Sequence, residues 1–141
     1  YKRTVPGTWA PVNATWGVDN RTTAVRALPG GPKSTRIELR LTGADINPYL
    51  AMAASLAAGL DGVRRKLEPP AAVTNAYDAP GAAPLPSSLD AAARALRGSA
   101  FARASFGDAF VDHYATTRDW EWRQYQRAVS DWELERYLES I

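Results

Sequence analysis

The sequence predicts an α+β chain, strand and turn in its first third and mostly helix thereafter. Three observations carry this expectation. Residues 1 to 42 set runs of Val, Thr, Trp and Leu between Pro-Gly breaks. An alanine- and leucine-rich run opens at Asn47-Pro48. Four further helical patterns fill the chain beyond residue 88.

In the first third, Pro6-Gly7 and Pro29-Gly30-Gly31-Pro32 mark turns between short strands, read as part of an antiparallel sheet. From Arg36 to Leu41 the alternation is strict: Ile37, Leu39 and Leu41 share one face, and Arg36, Glu38 and Arg40 share the other. The apolar face is expected to pack and the other to present charge. Asn47 suits an N-cap and Pro48 the first helical position, so a helix is expected from Pro48 to about Lys66, stopped by Pro69-Pro70. Being apolar nearly all round, it reads as a buried helix. Residues 69 to 87, rich in Pro, Ala and Gly, read as a long irregular loop. Helices are then expected at 88–98 with Ser88 capping, at 100–106, at 108–128 with Asp108 capping, and at 130–140 behind a Ser130-x-x-Glu133 capping box. The aromatics there, from Phe106 to Tyr137, read as core or subunit-contact packing, and His113 as an ordinary surface histidine.

Bulk properties narrow the function classes. The 141 residues fit one domain and are 45% apolar, an ordinary globular composition. The longest apolar stretch, residues 46–60, is interrupted by Asn47, Pro48, Tyr49 and Ser55 and is too short to span a bilayer. No membrane role is expected. Without cysteine there is neither a disulfide framework nor a thiolate metal site, and the cytoplasm is the expected compartment. The only methionine is Met52, so position 1 is not expected to be the native start.

Charge is unevenly placed. Residues 1 to 40 hold seven basic side chains, Lys2, Arg3, Arg21, Arg26, Lys33, Arg36 and Arg40, against Asp19 and Glu38. Clustered guanidinium groups suit phosphate and carboxylate, because the planar fork pairs bidentately with both. Phosphoryl transfer needs cations to spread charge and a carboxylate to help hold a divalent metal, and Glu38 between Arg36 and Arg40 offers both kinds of group. Taken by itself, that strand motif reads equally well as a salt-bridged sheet face. One carboxylate does not hold magnesium alone, so further ligands must lie outside these residues. A nucleic-acid module is disfavoured, since Trp9 and Trp16 are not spaced as a stacking platform.

Five motifs, in order, resemble the C-terminal region of glutamine synthetases: Lys2-Arg3-Thr4-Val5-Pro6-Gly7, Asn20-Arg21-Thr22-Thr23-Ala24-Val25-Arg26, Lys33-Ser34-Thr35-Arg36-Ile37-Glu38-Leu39-Arg40, Asn47-Pro48-Tyr49-Leu50 and Ala58-Gly59-Leu60-Asp61-Gly62. The resemblance covers nearly the whole chain, so residues 1–141 read as the C-terminal portion of such a catalytic domain. It implies that Arg3, Arg21 and Arg40 bind the glutamate substrate, and that Arg21, Arg26, Lys33 and Arg36 contact ATP. Arg21, touching both, is the implied catalytic arginine. Glu38 would ligate an active-site Mg2+ or Mn2+. The implied reaction phosphorylates the glutamate side chain and lets an amine displace the phosphate. The implied assembly is a ring-shaped homo-oligomer, a dodecamer, and the 141 residues alone are expected to be inactive.

One departure bears on the nucleophile. Where ammonia-using members carry a flap glutamate, this chain has Trp9, in Thr8-Trp9-Ala10-Pro11. An indole face suits an organic amine or polyamine better than ammonium, and the pattern is similar to that of gamma-glutamylamine ligases. Two alternatives stay open: Trp9 packs the flap while ammonia is still used, or the protein is a catalytically silent relative. Tyr77, in Asn75-Ala76-Tyr77-Asp78, falls where some bacterial glutamine synthetases carry a regulatory adenylylated tyrosine.

Overall fold

The computed structural model describes residue 1 and residues 3–138. The chain divides into two compact units, Tyr1–Leu85 and Pro86–Ile141.

The first unit carries three strands, β1 (Trp16–Val18), β2 (Val25–Leu28) and β3 (Arg36–Leu39), in the order β1-β2-β3. β2 and β3 run antiparallel, with Arg26 opposite Glu38. β1 and β2 run parallel, Trp16 opposite Val25, which corrects the expectation of a purely antiparallel sheet. The connection between them runs through Asp19, which takes a left-handed φ of 49°, and Asn20, whose Oδ1 accepts from the Thr22 N–H at 2.9 Å. Thr23 Oγ1 donates to the Asn20 carbonyl at 2.9 Å and closes the turn.

The core of this unit is small and polar-edged. Ala10, Asn13, Thr15, Thr22, Thr23, Ala24 and Ala76 are buried. Residues 69–87, expected as a long irregular loop, are irregular apart from one short turn, and within them residues 73–85 lie along residues 12–16. Val73 N–H donates to the Trp16 carbonyl at 2.9 Å, Ala14 N–H to Ala83 at 2.8 Å and Leu85 N–H to Val12 at 3.0 Å. A Cβ on Gly17 would sit 2.5 Å from the Val73 carbonyl oxygen, so only glycine admits this approach. Side chains complete the attachment: Trp16 Nε1 reaches the Pro70 carbonyl at 2.6 Å, and Asn13 Nδ2 reaches Ala76 at 2.6 Å. A single 3-10 turn, Ala76–Asp78, interrupts the segment.

Helix α1 (Pro48–Arg64) starts as expected, Asn47 Oδ1 accepting from the N–H groups of Tyr49 at 3.0 Å and Leu50 at 3.2 Å. Its predicted burial is corrected: no α1 residue is buried, and Tyr49, Met52, Leu56, Leu60 and Val63 form an exposed stripe. The physical reason is that no strand of its own unit packs extensively on it. Ile37, Leu39 and Leu41 are likewise exposed, so the apolar face of β3 is not packed by these residues either.

The second unit holds α2 (Leu89–Arg97), α3 (Ala100–Phe106), α4 (Asp108–Arg127) and α5 (Asp131–Leu138). Ser88 caps α2 through the Ala91 N–H at 3.1 Å. The expected box closes α5, Glu133 N–H donating to Ser130 Oγ at 3.3 Å and Ser130 N–H to Glu133 Oε2 at 2.8 Å. The residues at 139–140, where that helix was expected to end, lie outside the described residues. Asp108 does not cap α4. Gly107, at φ 82°, is the N-cap, and Asp108 enters the first turn to pair with Arg103 at 2.7 Å. Arg103 also holds Asp112 at 2.7 Å, and these two carboxylates raise its pKa, Asp112 foremost. Val111, Ala115, Ala93 and Ala102 form the core, whereas Trp120, Tyr125, Trp132 and Tyr137 are exposed, so those four aromatics are not core residues of this unit. His113 is exposed, as expected.

Candidate functional site

Four arginines of the first unit meet at one open cavity of about 540 Å3, lined by Arg3, Thr8, Trp9, Arg21, Arg26 and Arg40. Lys33, Arg36, Glu38 and Tyr77 are not among its lining residues.

The antiparallel register of β2 and β3 puts Arg26 beside Glu38, and Arg26 Nη1 donates to Glu38 Oε2 at 3.0 Å. Arg26 Nη2 pairs with Asp19, so one guanidinium bridges two carboxylates. Both partners raise the Arg26 pKa, Asp19 more than Glu38. The Arg26 side chain is only 14% exposed, and its Nε is buried with no hydrogen-bond partner among the described residues. Arg36 Nη2 reaches the other Glu38 oxygen at 3.2 Å. The Glu38 pKa is lowered, first by the hydrogen bond from Arg26, against the opposing pull of burial.

Arg40 joins two segments that are far apart in sequence. Its Nε donates to the Arg21 carbonyl at 3.0 Å and its Nη2 to the Trp9 carbonyl at 2.8 Å. Arg3 stands behind it, Nη2 on the Arg40 carbonyl at 2.8 Å and Nη1 on Thr42 at 2.5 Å. The Pro6-Gly7 turn is closed by Thr8 Oγ1, which donates to the carbonyls of Arg3 and Val5, each at 2.8 Å. Beyond it Trp9 takes a left-handed φ of 55° and leaves its side chain exposed. Lys33 is exposed in the turn before β3. Tyr77 is half-buried, its hydroxyl donating to the Ala10 carbonyl at 3.1 Å.

Of the residues that sequence singled out, Arg3, Trp9, Arg21, Arg26 and Arg40 meet at the cavity, and Arg36 and Glu38 are joined to it through Arg26. Three participants were not foreseen: Thr8 in the lining, Asp19 on Arg26, and the Tyr77 bond to Ala10. Asp19 alone left a trace in sequence, as one of two acids among the basic first forty residues.

Fold and site together define an α+β unit in which four guanidinium groups line a cavity and one of them, that of Arg26, is paired with the carboxylates of Asp19 and Glu38. The chain belongs to the glutamine synthetase catalytic-domain family, whose model matches residues 1–137. Over its whole length it is 51% identical to type-1 glutamine synthetase 2 of Dictyostelium discoideum and 46% identical to a glutamate–isopropylamine ligase of a Pseudomonas species. It is also 46% identical to a gamma-glutamylethanolamide synthetase of Streptomyces coelicolor. The matched regions are 28%, 31% and 30% of those relatives, so the chain spans about a third of their length. Among solved structures, GmaS in complex with ADP is similar with a TM-score of 0.78 at 35% identity, over 99% of this chain and 32% of that one. No helix among the described residues is long and apolar enough to cross a membrane.

Proposed function

We propose that this chain supplies the arginine and glutamate part of an ATP-dependent ligase that forms an amide at the side-chain carboxylate of glutamate, with an organic amine or polyamine as nucleophile. The observation that carries this is the cavity itself: four guanidinium groups line it and, among the described residues, no acidic side chain does. The family membership supports the reaction type, and two similar relatives bear the names of ligases for organic amines.

In this reading a glutamate carboxylate oxygen takes the terminal phosphoryl group of ATP and ADP leaves; the neutral amine nitrogen then attacks the acyl carbon, and the expelled phosphate carries away the proton that the nitrogen releases. Arg21 and Arg26, with Lys33 and Arg36 nearer the β3 edge, spread the charge of the phosphates. Arg3, Arg21 and Arg40 hold the glutamate, and Arg21, shared between both ligands, is the catalytic arginine. Trp9 offers the amine an apolar, cation-attracting face in place of a carboxylate. Ammonia, the nucleophile that would give glutamine, is the competing reading, and the Dictyostelium relative bears the name of a glutamine synthetase.

Magnesium or manganese would supply further neutralisation of phosphate charge, and Glu38 is the group of this chain suited to hold it. It is ionised, but both its oxygens already accept from arginines, and no cluster of three or more metal-ligating side chains occurs among the described residues. Glu38 would be one ligand among others, and a metal there would have to share or displace an arginine bond. A ring-shaped homo-oligomer, a dodecamer, is the assembly we assign to the full-length protein, and the cytoplasm its compartment. Adenylylation of Tyr77 would have to displace its hydroxyl from Ala10, and an AMP adduct is read by mass spectrometry of native protein.

Hydroxylamine tests the acyl phosphate directly, because it traps that species as a hydroxamate. Full-length protein with glutamate and ATP should yield γ-glutamyl hydroxamate. Absence of hydroxamate from correctly folded full-length protein would contradict the ligase reading.

A further inference from the structure

Trp9 stands in a left-handed backbone conformation, φ 55°, which a side chain of its size disfavours and which surrounding contacts must hold in place. Two successive carbonyls are gripped there. Arg40 donates to the carbonyl of Trp9 at 2.8 Å, and the Tyr77 hydroxyl donates to the carbonyl of Ala10 at 3.1 Å. The Trp9 carbonyl belongs to the 9–10 peptide plane and the Ala10 carbonyl to the 10–11 plane, so the two bonds together hold the backbone that follows the Trp9 Cα, from which the indole projects.

Tyr77 grips from a firm base. Ala76, fully buried, has both backbone polar groups engaged: its N–H donates to Thr22 Oγ1 at 2.9 Å and its carbonyl accepts from Asn13 Nδ2 at 2.6 Å. Asn75 Oδ1 accepts from the Tyr77 N–H at 3.1 Å and holds the 3-10 turn. The same Thr22 follows Arg21, so the turn is tied at one end to the cavity arginine and at the other to the flap. Ala10 is 1% exposed, so the bond to its carbonyl sits at the buried root of the flap, next to the exposed Trp9.

We propose that Tyr77 is a positioning residue for the flap: its hydroxyl holds Ala10 and, through it, the Trp9 indole in the orientation that favours an organic amine. The assignment rests on the reading of Trp9 as the amine-facing group. Tyr77 touches no substrate in this scheme and acts through the backbone at residues 9 and 10.

The test is Tyr77→Phe in the full-length enzyme, which keeps the ring and removes only the donor. The KM for the organic amine should rise about fivefold, equivalent to about 1 kcal/mol. The KM values for ATP and glutamate, and kcat at saturating amine, should stay within about twofold. Hydrogen exchange at residues 8–12 should accelerate. Equal rises in all three KM values would mean a merely structural role and overturn the proposal, as would unchanged exchange at residues 8–12. If ammonium proves to be the nucleophile, the amine reading fails by itself. Faster exchange in the variant would then still support Tyr77 as the flap anchor.

Discussion

Arg40→Lys separates the two tasks that the geometry gives one side chain. Arginine serves the Arg21 carbonyl from Nε and the Trp9 carbonyl from Nη2, two donors held in one rigid plane. Lysine keeps the charge but has a single nitrogen on a flexible stem, so at most one of these bonds survives with full geometry. A hydrogen bond from a charged donor contributes about 1.5 kcal/mol at the weak end of its range, and that end suits a half-buried residue. Loss of one bond therefore predicts about a tenfold rise in the KM for the amine, through a loosened flap. If Arg40 also grips the glutamate side chain with its fork, a second loss of similar size falls on the glutamate KM, and kcat/KM for the whole reaction drops about a hundredfold. Steady-state kinetics on the full-length enzyme, varying amine and glutamate separately, resolve the two parts. A variant within about twofold of wild type in both would refute the assignment of either task.

Two further predictions concern stability. Glu38 has a pKa held below its ordinary value of 4.5 by Arg26, so its contribution is complete above that value and is lost as the pH falls through the lowered one. Thermal unfolding of Glu38→Gln should accordingly lose less stability than wild type as the pH falls below about 5, and equal losses would contradict the ion-pair account. Thr22→Val keeps shape but leaves the buried Ala76 N–H without its acceptor, a cost of about 1–3 kcal/mol by denaturant unfolding. A change below about 0.5 kcal/mol would show that residues 70–85 are held by other bonds.

What was legible in sequence was what local chemistry decides. Asn47-Pro48 announced α1, Ser130 and Glu133 announced α5, and the strict alternation from Arg36 placed Glu38 on a charged face, where it meets Arg26 across the strands. Local chemistry is silent on pairing direction, so the parallel pairing of β1 and β2 was missed, because the connection between them runs through a left-handed Asp19 and the turn that follows. The attachment of residues 70–85 was hidden for a different reason. Its bonds join residues more than fifty positions apart, Asn13 to Ala76 and Trp16 to Pro70, and nothing in a run of Pro, Ala and Gly discloses a distant acceptor. The α1 stripe misled in the opposite way: its composition says that the helix prefers burial, but not that residues of this chain provide it.

The central claim concerns the nucleophile, and it is tested most directly by the ratio of kcat/KM for alkyl or polyamine substrates to kcat/KM for ammonium, measured in the full-length enzyme at saturating ATP and glutamate. The account predicts a ratio above one for at least one organic amine. It also predicts that Trp9→Ala lowers this ratio by about twofold to thirtyfold, the range of a cation–π contact from exposed to desolvated. Ammonium preferred over every organic amine, with Trp9→Ala leaving that preference unchanged, would contradict it.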